Sequence, residues 1–275
     1  MSRKKMLIIP VFIPFGGCPH KCVFCDQNGI TGVSVMPGEN AVVETIEKYL
    51  ATWKGSGGKE VAFYGGSFTG LPIETQKKFL DCAAGFVRDG RVDGIRVSTR
   101  PDYISNEAAL FLKENRVTTV ELGAQTMSDL VLRLSGRGHS ANATIEAVKT
   151  LKAAGFKVGV QFMPGLPGDT LESIIETTDA VIALKPDFVR VYPTLVLKGT
   201  ALHRMYLNNE YSAWGLDEMV EVCRVVFARL AQAGIPVIRT GLQTTEGLLE
   251  NLAAGPYHPS FRGLVENKVS KTVSP

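Results

Sequence analysis

Three cysteines stand close together near the start of the chain, in the stretch "GGCPHKCVFCDQ" over residues 16–27. Cys18, Cys22 and Cys25 have the spacing Cx3CxxC, and no fourth cysteine follows nearby. A structural zinc site normally takes four ligands, and His20 is a poor fourth ligand so close to its neighbours. A redox disulfide between two of the cysteines would leave the third one unexplained. Three thiolates can also hold a four-iron cluster and leave one iron open to a small ligand, so this interpretation stands beside the other two.

Glycine-rich and polar stretches recur where apolar segments of the chain end. They are "FGGCP" (15–19), "YGGSF" (64–68), "STRPD" (98–102), "GAQT" (123–126), "MPGLPG" (163–168) and "YPT" (192–194). The carboxyl ends of parallel strands share one edge of a sheet or barrel, and ligands bind there. We therefore predict that these stretches line one site.

Apolar segments of strand length alternate with amphipathic segments. Strands are predicted in "MLIIPVFIPF", "VAFYGGSF", "GIRVSTRP", "TTVELGAQ", "KVGVQFMPG" and "FVRVYPTLV", with a seventh, late strand in "PVIRTGLQ". Helices are predicted near 39–53, 72–89, 105–115, 128–154 (broken between Gly136 and Ser140), 170–184 and 216–233. Nearly continuous hydrophobic strands that alternate with helices indicate an α/β fold with a parallel sheet. The pattern fits an open doubly wound sheet or part of a β/α barrel, and the strand-end motifs favour the barrel.

Composition narrows the class of protein. The chain has 275 residues, of which 45% are hydrophobic and 21% charged, as is ordinary for a globular protein. A net charge of +3 neither requires nor excludes a nucleic-acid partner. Five cysteines, three of them crowded, argue against a secreted disulfide framework, so we expect a reducing, cytoplasmic setting. No apolar stretch approaches the ~20 residues that span a bilayer, and we expect no membrane association.

The stretch "MSRKKMLIIPVFIPFGGC" has a basic start, a short apolar run and a cysteine, as a lipoprotein signal does. Two prolines interrupt the run, and its cysteine also begins the triplet. We therefore predict a buried strand that delivers the cysteines to the site.

The motif "CPHKCVFC", at the end of the first predicted strand, resembles the signature of radical S-adenosylmethionine (SAM) enzymes. The resemblance extends from about Met6 to Thr194. It implies that Cys18, Cys22 and Cys25 hold a 4Fe–4S cluster whose open iron chelates SAM. In that superfamily an electron from the cluster cleaves SAM, and a 5′-deoxyadenosyl radical then abstracts hydrogen from the substrate. The implied fold is a partial (β/α)6 parallel barrel over residues 1–195, with a C-terminal strand and helix extension over 196–275 packed on it.

The resemblance also assigns roles to the residues that follow the second and third strands. Gly65 and Gly66 match the Gly-Gly motif that binds the amino group of the methionine moiety, and Ser67 stands where many members carry glutamate. Ser98 occupies the place of an acid found in related enzymes. Arg100 is expected to face the ligand carboxylate or a substrate phosphate, with a solvent-exposed position at the rim as the alternative.

The fourth strand ends in Gln125, whose amide the resemblance assigns to the ribose hydroxyls. Arg137 follows twelve residues later, a spacing that the family shares. The resemblance pairs it with the methionine carboxylate. A surface ion pair is the alternative for this arginine.

The fifth strand carries Gln161, at the place where relatives hold a polar ribose ligand. Met163 and Pro164 are expected to flank the adenine, while Gly165 keeps the backbone close to it. Core packing explains the apolar residues of this strand but not the glutamine, because a buried amide needs partners.

"YGGSFTGL", "GIRVSTRPDYI" and "MPGLPGDT" most resemble the radical SAM domain of Elongator-type enzymes and their bacterial relatives. Those enzymes also carry a C-terminal acetyltransferase domain for wobble-uridine modification in tRNA. The 275 residues leave no room for that domain, so we expect either a smaller relative with its own substrate or a part of a longer protein. Three hypotheses remain: a radical SAM enzyme acting on RNA or another large substrate, one acting on a small metabolite such as a tetrapyrrole, and a non-catalytic cluster- or haem-carrying protein. An electron donor such as flavodoxin or ferredoxin is the expected partner. An anionic substrate is favoured by Arg100, Arg190, Lys198, Arg204 and Arg239.

Two cysteines and one histidine lie outside these motifs. Cys82 and Cys223 lie in apolar helical patterns and are expected to pack in the core. His258 lies in the tail, where it either faces the site or has no functional role. The tail after about Gly255 is expected to form a flap or a partly ordered end.

Overall fold

The structure, a computed structural model, describes residues 6–19, 22–27, 32–33 and 35–273. Its strands are β1 (Leu7–Ile13), β2 (Lys59–Gly65), β3 (Gly94–Thr99), β4 (Val117–Gln125), β5 (Lys157–Phe162), β6 (Phe188–Val191), β7 (Val196–Leu197), β8 (Val237–Thr240) and β9 (Leu252–Ala254). Its helices are α1 (Glu39–Thr52), α2 (Ile73–Arg88), α3 (Asn106–Glu114), α4 (Asp129–Leu134), α5 (Ala141–Ala153), α6 (Leu171–Ala183), α7 (Ala201–Leu207), α8 (Leu216–Gln232), α9 (Glu246–Asn251) and α10 (Phe261–Val273).

The strands form a seven-stranded sheet in the order β1-β2-β3-β4-β5-β6-β8, and β7 pairs with β9 separately. The pairs β1–β2, β2–β3, β3–β4, β5–β6 and β6–β8 are parallel, and helices precede or follow most strands along the chain. All seven predicted strands form, and each predicted helix forms within a few residues of its expected bounds. The predicted α/β class with a parallel sheet is therefore confirmed.

The chain divides into two compact units. The first comprises Met1–Pro19, Val33–Leu122 and Glu146–Val158, and the second comprises His20–Gly32, Gly123–Ile145 and Gly159–Pro275. In the first unit β2 and β3 are buried over most of their apolar residues, as continuous hydrophobic strands predict, whereas β1 alternates buried and half-buried residues. The register pairs Ile13 with Gly65, so β1 and β2 end side by side and their loops leave the sheet together.

In the second unit β5, β6 and β8 are neighbours, and their register brings three polar residues into one row. Gln161 pairs with Arg190, and Arg190 pairs with Arg239. Val160 and Val189 are buried on the alternate positions of the same strands. Successive side chains point to opposite faces of a strand, so this part of the sheet has one apolar face and one polar face.

The break between α4 and α5 falls where the sequence predicted it. Gly136 and Gly138 have φ angles of 63° and 73°. This left-handed conformation suits glycine and ends the helix. The resulting loop carries Arg137 between α4 and α5, and the Ser128 side chain accepts a hydrogen bond at the start of α4.

Residues Phe261–Val273 of the tail form α10, so a partly ordered end is wrong for this part, while the alternative of a flap stays a prediction. Phe261 and Val265 are buried, and the helix packs against α8. The spacing of Phe261, Leu264 and Val265 was the helical signal that the Pro- and Ser-containing composition obscured. Within the described residues, no helix has the length and apolar character needed to cross a bilayer.

Candidate functional site

The loops after β1 and β2 in the first unit pack backbone against backbone. The Ser67 N–H donates to the Gly16 carbonyl over 2.7 Å, and the Gly66 N–H donates to the Ile13 carbonyl over 3.0 Å. A Cβ on Gly66 would overlap the Gly16 carbonyl oxygen, and Gly65 has a φ of 106°. Gly66 is therefore required by the close approach of the loop that leads to Cys18, and Gly65 is required by its positive φ angle.

The polar residues at the ends of β2 and β3 bind one another. The Ser67 hydroxyl lies 2.9 Å from the Thr99 hydroxyl and accepts a hydrogen bond from the Arg100 N–H over 3.1 Å. Ser67 is buried, and Ser98 is half-buried on the preceding position of β3. The Ser67 side chain thus ties the Gly-Gly loop to the end of the next strand.

Arg100 is almost completely buried, with 1% of its surface exposed, so the solvent-exposed alternative is wrong. Its Nε and Nη2 donate to the two carboxylate oxygens of Asp102 over 2.9 and 2.7 Å. The remaining nitrogen, Nη1, is buried without a hydrogen-bond partner among the described residues. An unsatisfied buried donor is costly, so an acceptor supplied by a ligand would be stabilising here.

The first unit contains a buried charge cluster that was not predicted from the sequence. Arg96 donates to Glu60 over 2.8 Å and to Glu121 over 2.5 Å, and the Tyr64 hydroxyl donates to Glu121 over 3.2 Å. Burial disfavours the charged arginine, but the Tyr64 hydroxyl and the two carboxylates outweigh burial and raise the pKa of Arg96. The available signal was the presence of charged residues inside strands that are otherwise apolar.

In the second unit, the two glutamines predicted to bind ribose lie together. The Gln161 Nε2 donates to the Gln125 Oε1 over 3.3 Å, and the Met163 N–H donates to the Gln125 carbonyl over 2.7 Å. Gln125 is buried and has a φ of 70°, which is costly for a residue other than glycine. Strained backbone of this kind clusters at ligand sites, which fits the role expected for Gln125.

Arg137 is buried, with 7% of its surface exposed, so a surface ion pair is wrong for this residue. Its Nη1 donates to the Cys22 sulfur over 3.5 Å, and its Nη2 donates to the Gly123 carbonyl over 2.6 Å. Arg137 Nε is buried without a partner among the described residues. The arginine therefore joins the cysteine loop to the end of β4.

The cysteine loop is held by further hydrogen bonds within the second unit. The Val23 N–H donates to the Ser135 carbonyl over 3.1 Å, and the Leu202 N–H donates to the Val23 carbonyl over 2.8 Å. Gln27 Nε2 lies 3.6 Å from the Cys25 sulfur as a donor. His20, which was considered as a zinc ligand, lies outside the described residues.

These observations test whether the cysteines suit an iron–sulfur cluster. The described residues contain no group of three or more His, Cys, Asp or Glu side chains arranged to hold a metal ion. Thiolates of a four-iron cluster bind different irons, so they need not approach one another as ligands of a single ion do. Cys18, Cys22 and Cys25 are thiols, and donors face the sulfurs of two of them. The donor set therefore fits the cluster that the resemblance implies.

Two side chains form hydrogen bonds with the turn after β5, and the sequence motifs assigned neither of them a role in the site. The Tyr211 hydroxyl donates to the Gly165 carbonyl over 2.6 Å, and Asp169 accepts a hydrogen bond from the Gly165 N–H over 3.0 Å. Pro164 is buried, and Met163 is half-buried. Tyr211 is distant in sequence, so only the fold brings it to the turn.

The described residues of the second unit form at least two cavities. One, of about 580 Å³, follows the loop that carries Arg137 and is lined by Asp129, Arg133, Gly136, Gly138, His139 and Ser140. The other has a volume of about 80 Å³, and its lining includes Thr240, Tyr257 and His258. His258 Nδ1 accepts a hydrogen bond from the Ser260 N–H over 3.0 Å. The histidine therefore lines a small cavity formed in part by the tail.

Comparison with known proteins identifies relatives over most of the chain. Residues 12–181 match the Radical SAM superfamily, and residues 186–271 match the Radical_SAM C-terminal domain. An uncharacterized protein of Methanocaldococcus jannaschii is 32% identical over 78% of this chain and 69% of its own length. A tRNA uridine(34) acetyltransferase of the same organism is 30% identical over 74% of this chain, and human Elongator complex protein 3 is 30% identical over 62% of it. The aligned parts make up 45% and 35% of those two relatives, so their longer chains extend well beyond the match.

Solved structures share the fold. The Methanocaldococcus infernus Elp3 with an N-terminal deletion matches with a TM-score of 0.77 and 24% identity, over 98% of this chain and 64% of that one. Coproporphyrinogen III oxidase of Escherichia coli matches with a TM-score of 0.62 and 20% identity, over 85% of this chain and 54% of that one. The predicted radical SAM type of fold and the Elongator-like resemblance are both confirmed. The chain thus belongs to the Radical SAM superfamily of enzymes, as its cysteine triplet and strand-end motifs predicted.

Proposed function

We propose that this enzyme acts on RNA, with a 4Fe–4S cluster held by Cys18, Cys22 and Cys25. When bound, the cluster supplies the electron that cleaves SAM, and the organic radical so released takes a hydrogen atom from the substrate. The single observation that carries the cluster assignment is the hydrogen bond from Arg137 to the Cys22 sulfur. Buried donors that face a ligating sulfur are characteristic of the surroundings of metal-bound thiolates and set the properties of the cluster.

Residues at the ends of the strands are proposed to contact SAM. In the first unit, Gly65, Gly66 and Ser67 are assigned to the amino group, with Ser98 beside them. Arg100 is assigned to the methionine carboxylate, because its Nη1 is a buried donor without a partner among the described residues. Arg137 stays an alternative for the carboxylate, with its two Nη atoms donating to Cys22 and Gly123 and its Nε without a partner among the described residues.

In the second unit, the amides of Gln125 and Gln161 are assigned to the ribose, and the turn of Met163, Pro164 and Gly165 to the adenine. The contact between the two amides supports this assignment, because it orients both side chains at the ends of neighbouring strands. Each amide has spare donors and acceptors with which to meet a hydroxyl.

An anionic substrate is supported by two arginines of the second unit. Arg190 and Arg239 are register partners on β6 and β8, and both are half-buried. Two arginines on neighbouring strands form a local concentration of positive charge, and such a surface attracts an anionic group such as a phosphate. The relative named a tRNA uridine(34) acetyltransferase, aligned over 74% of this chain, makes RNA the preferred source of that phosphate. Five thiols suit a reducing compartment, and we place the protein in the cytoplasm with flavodoxin or ferredoxin as electron donor.

The proposal is tested by anaerobic reconstitution with iron and sulfide, followed by incubation with SAM and a reductant. We expect 5′-deoxyadenosine to form faster with bulk tRNA than without it, and not to respond to the tetrapyrrole coproporphyrinogen. Stimulation by the tetrapyrrole alone would overturn the assignment to RNA, and failure to form any 5′-deoxyadenosine would overturn the chemistry.

Binding to tRNA gives a second test. Affinity should fall steeply with salt, because phosphate contacts release counterions. Arg239→Gln should weaken binding and flatten the salt dependence, whereas Arg204→Gln, at an exposed position on α7, should have a smaller effect. Equal affinities of wild type and Arg239→Gln at every salt concentration would remove the support from the arginine pair.

A further inference from the structure

The turn at Met163–Gly165 is fixed by residues from outside it. The Tyr211 hydroxyl donates to the Gly165 carbonyl over 2.6 Å, although the two residues are 46 positions apart. Tyr211 follows α7, in the segment that the sequence analysis assigned to the C-terminal extension, and only 7% of its surface is exposed. An element remote from the strand-end motifs therefore reaches the turn proposed to hold adenine.

Other contacts secure the neighbouring backbone groups of the turn. The Met163 N–H is bonded to Gln125, the Pro164 carbonyl accepts from the Thr194 N–H over 2.9 Å, and the Gly165 N–H donates to Asp169 over 3.0 Å. Successive peptide groups are thus held by separate segments of the second unit. The Gly165 carbonyl is the group whose direction depends on Tyr211.

Because residue 165 is glycine, the direction of its carbonyl is free unless a partner fixes it. Its φ of 90° lies in the left-handed region, where glycine passes between conformations with little steric cost. A Cβ at this position would lie 3.0 Å from Met219 Cε and 3.2 Å from Trp214 Cδ1, so side chains of the extension cover one side of the turn. The turn is therefore closely packed on that side, while its carbonyl is directed by a single hydroxyl.

The Tyr211 hydroxyl is suited to act as a lasting donor. Burial is the main cause that raises the pKa of Tyr211, and the nearby carboxylate of Asp169 adds to it. The phenol consequently keeps its proton at neutral and mildly alkaline pH. Its ring packs in an apolar cluster with Val196 and Leu202, which phenylalanine would preserve.

We propose that Tyr211 is a positioning residue, whose hydroxyl sets the Gly165 carbonyl so that Met163–Gly165 presents a fixed surface to the adenine of SAM. This inference rests on the proposed assignment of that turn to adenine. It makes the extension part of the cofactor site, because the strand-end motifs alone do not supply the hydroxyl. Loss of the hydroxyl should impair recognition of the adenosine moiety and leave recognition of the methionine moiety intact.

The test compares three ligands on Tyr211→Phe, measured by anaerobic calorimetry on the reconstituted protein. SAM contains both moieties, 5′-methylthioadenosine contains the adenosine, and L-methionine contains the amino acid. We expect the variant to bind SAM and 5′-methylthioadenosine roughly 2- to 10-fold more weakly and L-methionine as tightly as wild type does. A purely structural role would weaken all three ligands alike. Tyr206→Phe, at an exposed tyrosine on α7, is the matched control and should change none of the affinities.

Equal affinities of Tyr211→Phe and wild type for all three ligands would overturn the inference while leaving the proposed function in place. Equal weakening of all three would also overturn it. Wild-type protein that binds none of the ligands would overturn the proposed function, and the inference with it.

Gly165→Ala is a second variant, which perturbs the same turn from the side of Met219 and Trp214. It tests the role of the turn in binding adenine even if Tyr211→Phe does not fold. It should show the same selective loss, and an unchanged preference among the ligands would count against the turn as the adenine contact.

Discussion

The guanidinium of Arg137 donates a hydrogen bond to the sulfur of Cys22 over 3.5 Å, although 115 positions separate the two residues. The arginine is buried, and its second Nη atom holds the carbonyl of Gly123 at the end of β4. Arg137 is therefore placed to act on a cluster-binding cysteine rather than on SAM alone. Hydrogen bonds to ligating sulfurs are among the factors that set the reduction potential of a cluster.

We predict that Arg137→Ala makes the reduction potential of the reconstituted cluster more negative. A cationic donor at the sulfur stabilises the reduced, more electron-rich state, and the variant lacks this donor. A redox titration followed by electron paramagnetic resonance measures the change. Arg133→Ala, at an exposed position on α4, is the control and should leave the potential near the wild-type value. An identical potential in Arg137→Ala and wild type would contradict the role assigned to the contact.

The fold could be predicted from the sequence because its signals are local. The strands are nearly continuous in hydrophobic residues, and the break at Gly136 follows from the conformational freedom of glycine. The helix α10 was missed because proline and serine near its start suggested loss of order. The apolar spacing beginning at Phe261 carried the opposite signal and proved the better guide.

The site could be predicted only in part, because residue types are visible in the sequence and their partners are not. Motif spacing pointed to Arg100 and Arg137, but their burial and their contacts depend on the fold. The ion pairs of Arg96 and the hydrogen bond of Tyr211 join distant segments, so no local pattern could indicate them. The assignment of residues 1–195 and 196–275 as core and extension stays a prediction.

The second prediction concerns the cysteines. Cys18→Ala, Cys22→Ala and Cys25→Ala should each lose the iron and sulfide of the reconstituted protein, since each removes one of only three proposed ligands. Cys223→Ala and Cys82→Ala should retain them. Cys223 is fully buried, and burial raises the pKa of both of these thiols, so they resist the deprotonation that ligation requires.

Iron and sulfide analysis of the five variants after anaerobic reconstitution measures this outcome. Stoichiometric zinc in the protein as isolated, unaffected by added iron and sulfide, would show that the three cysteines bind zinc instead of a cluster. Loss of iron in Cys223→Ala with an unchanged thermal midpoint would show that the ligand set had been misassigned.

The third prediction concerns Gly66. A Cβ there would overlap the Gly16 carbonyl oxygen, and backbone of the neighbouring loop cannot move aside as the end of a flexible side chain can. Gly66→Ala should therefore lower the free energy of unfolding by ~1–3 kcal/mol. Gly263→Ala is the control, because its Cβ would meet no heavy atom within 4 Å and the residue lies inside α10. That change should leave stability unaltered or raise it by ~0.5–1 kcal/mol. Urea unfolding measures both variants, and equal stabilities of Gly66→Ala and wild type would show that the two loops separate at little cost.

The last prediction is a pH dependence that originates at Asp169. This carboxylate accepts hydrogen bonds from the Gly165 N–H and from the Ser173 hydroxyl. Burial nevertheless outweighs these bonds and raises the pKa of Asp169 above its ordinary value of 3.8. As pH rises, the unfolded chain therefore loses this proton before the folded one does. The protonated carboxyl contributes stability that is complete below the ordinary pKa and is lost as pH rises through the raised one.

Asp169→Asn removes this titration and keeps a carbonyl oxygen that can accept from the Gly165 N–H. The free energy of unfolding of the variant, relative to wild type, should therefore increase with pH and level off above the raised pKa of Asp169.

Glu221→Gln supplies a control of opposite sign. The hydrogen bond from Arg224 lowers the pKa of Glu221, so the ionised form of this carboxylate favours folding. That variant should lose stability relative to wild type as pH rises, by a small amount because the pair is exposed. Urea unfolding between about pH 4 and about pH 8 follows both differences. A difference for Asp169→Asn that stays constant or falls over this range would mean that burial does not dominate at Asp169, and that its hydrogen bonds to the Gly165 turn favour the ionised form.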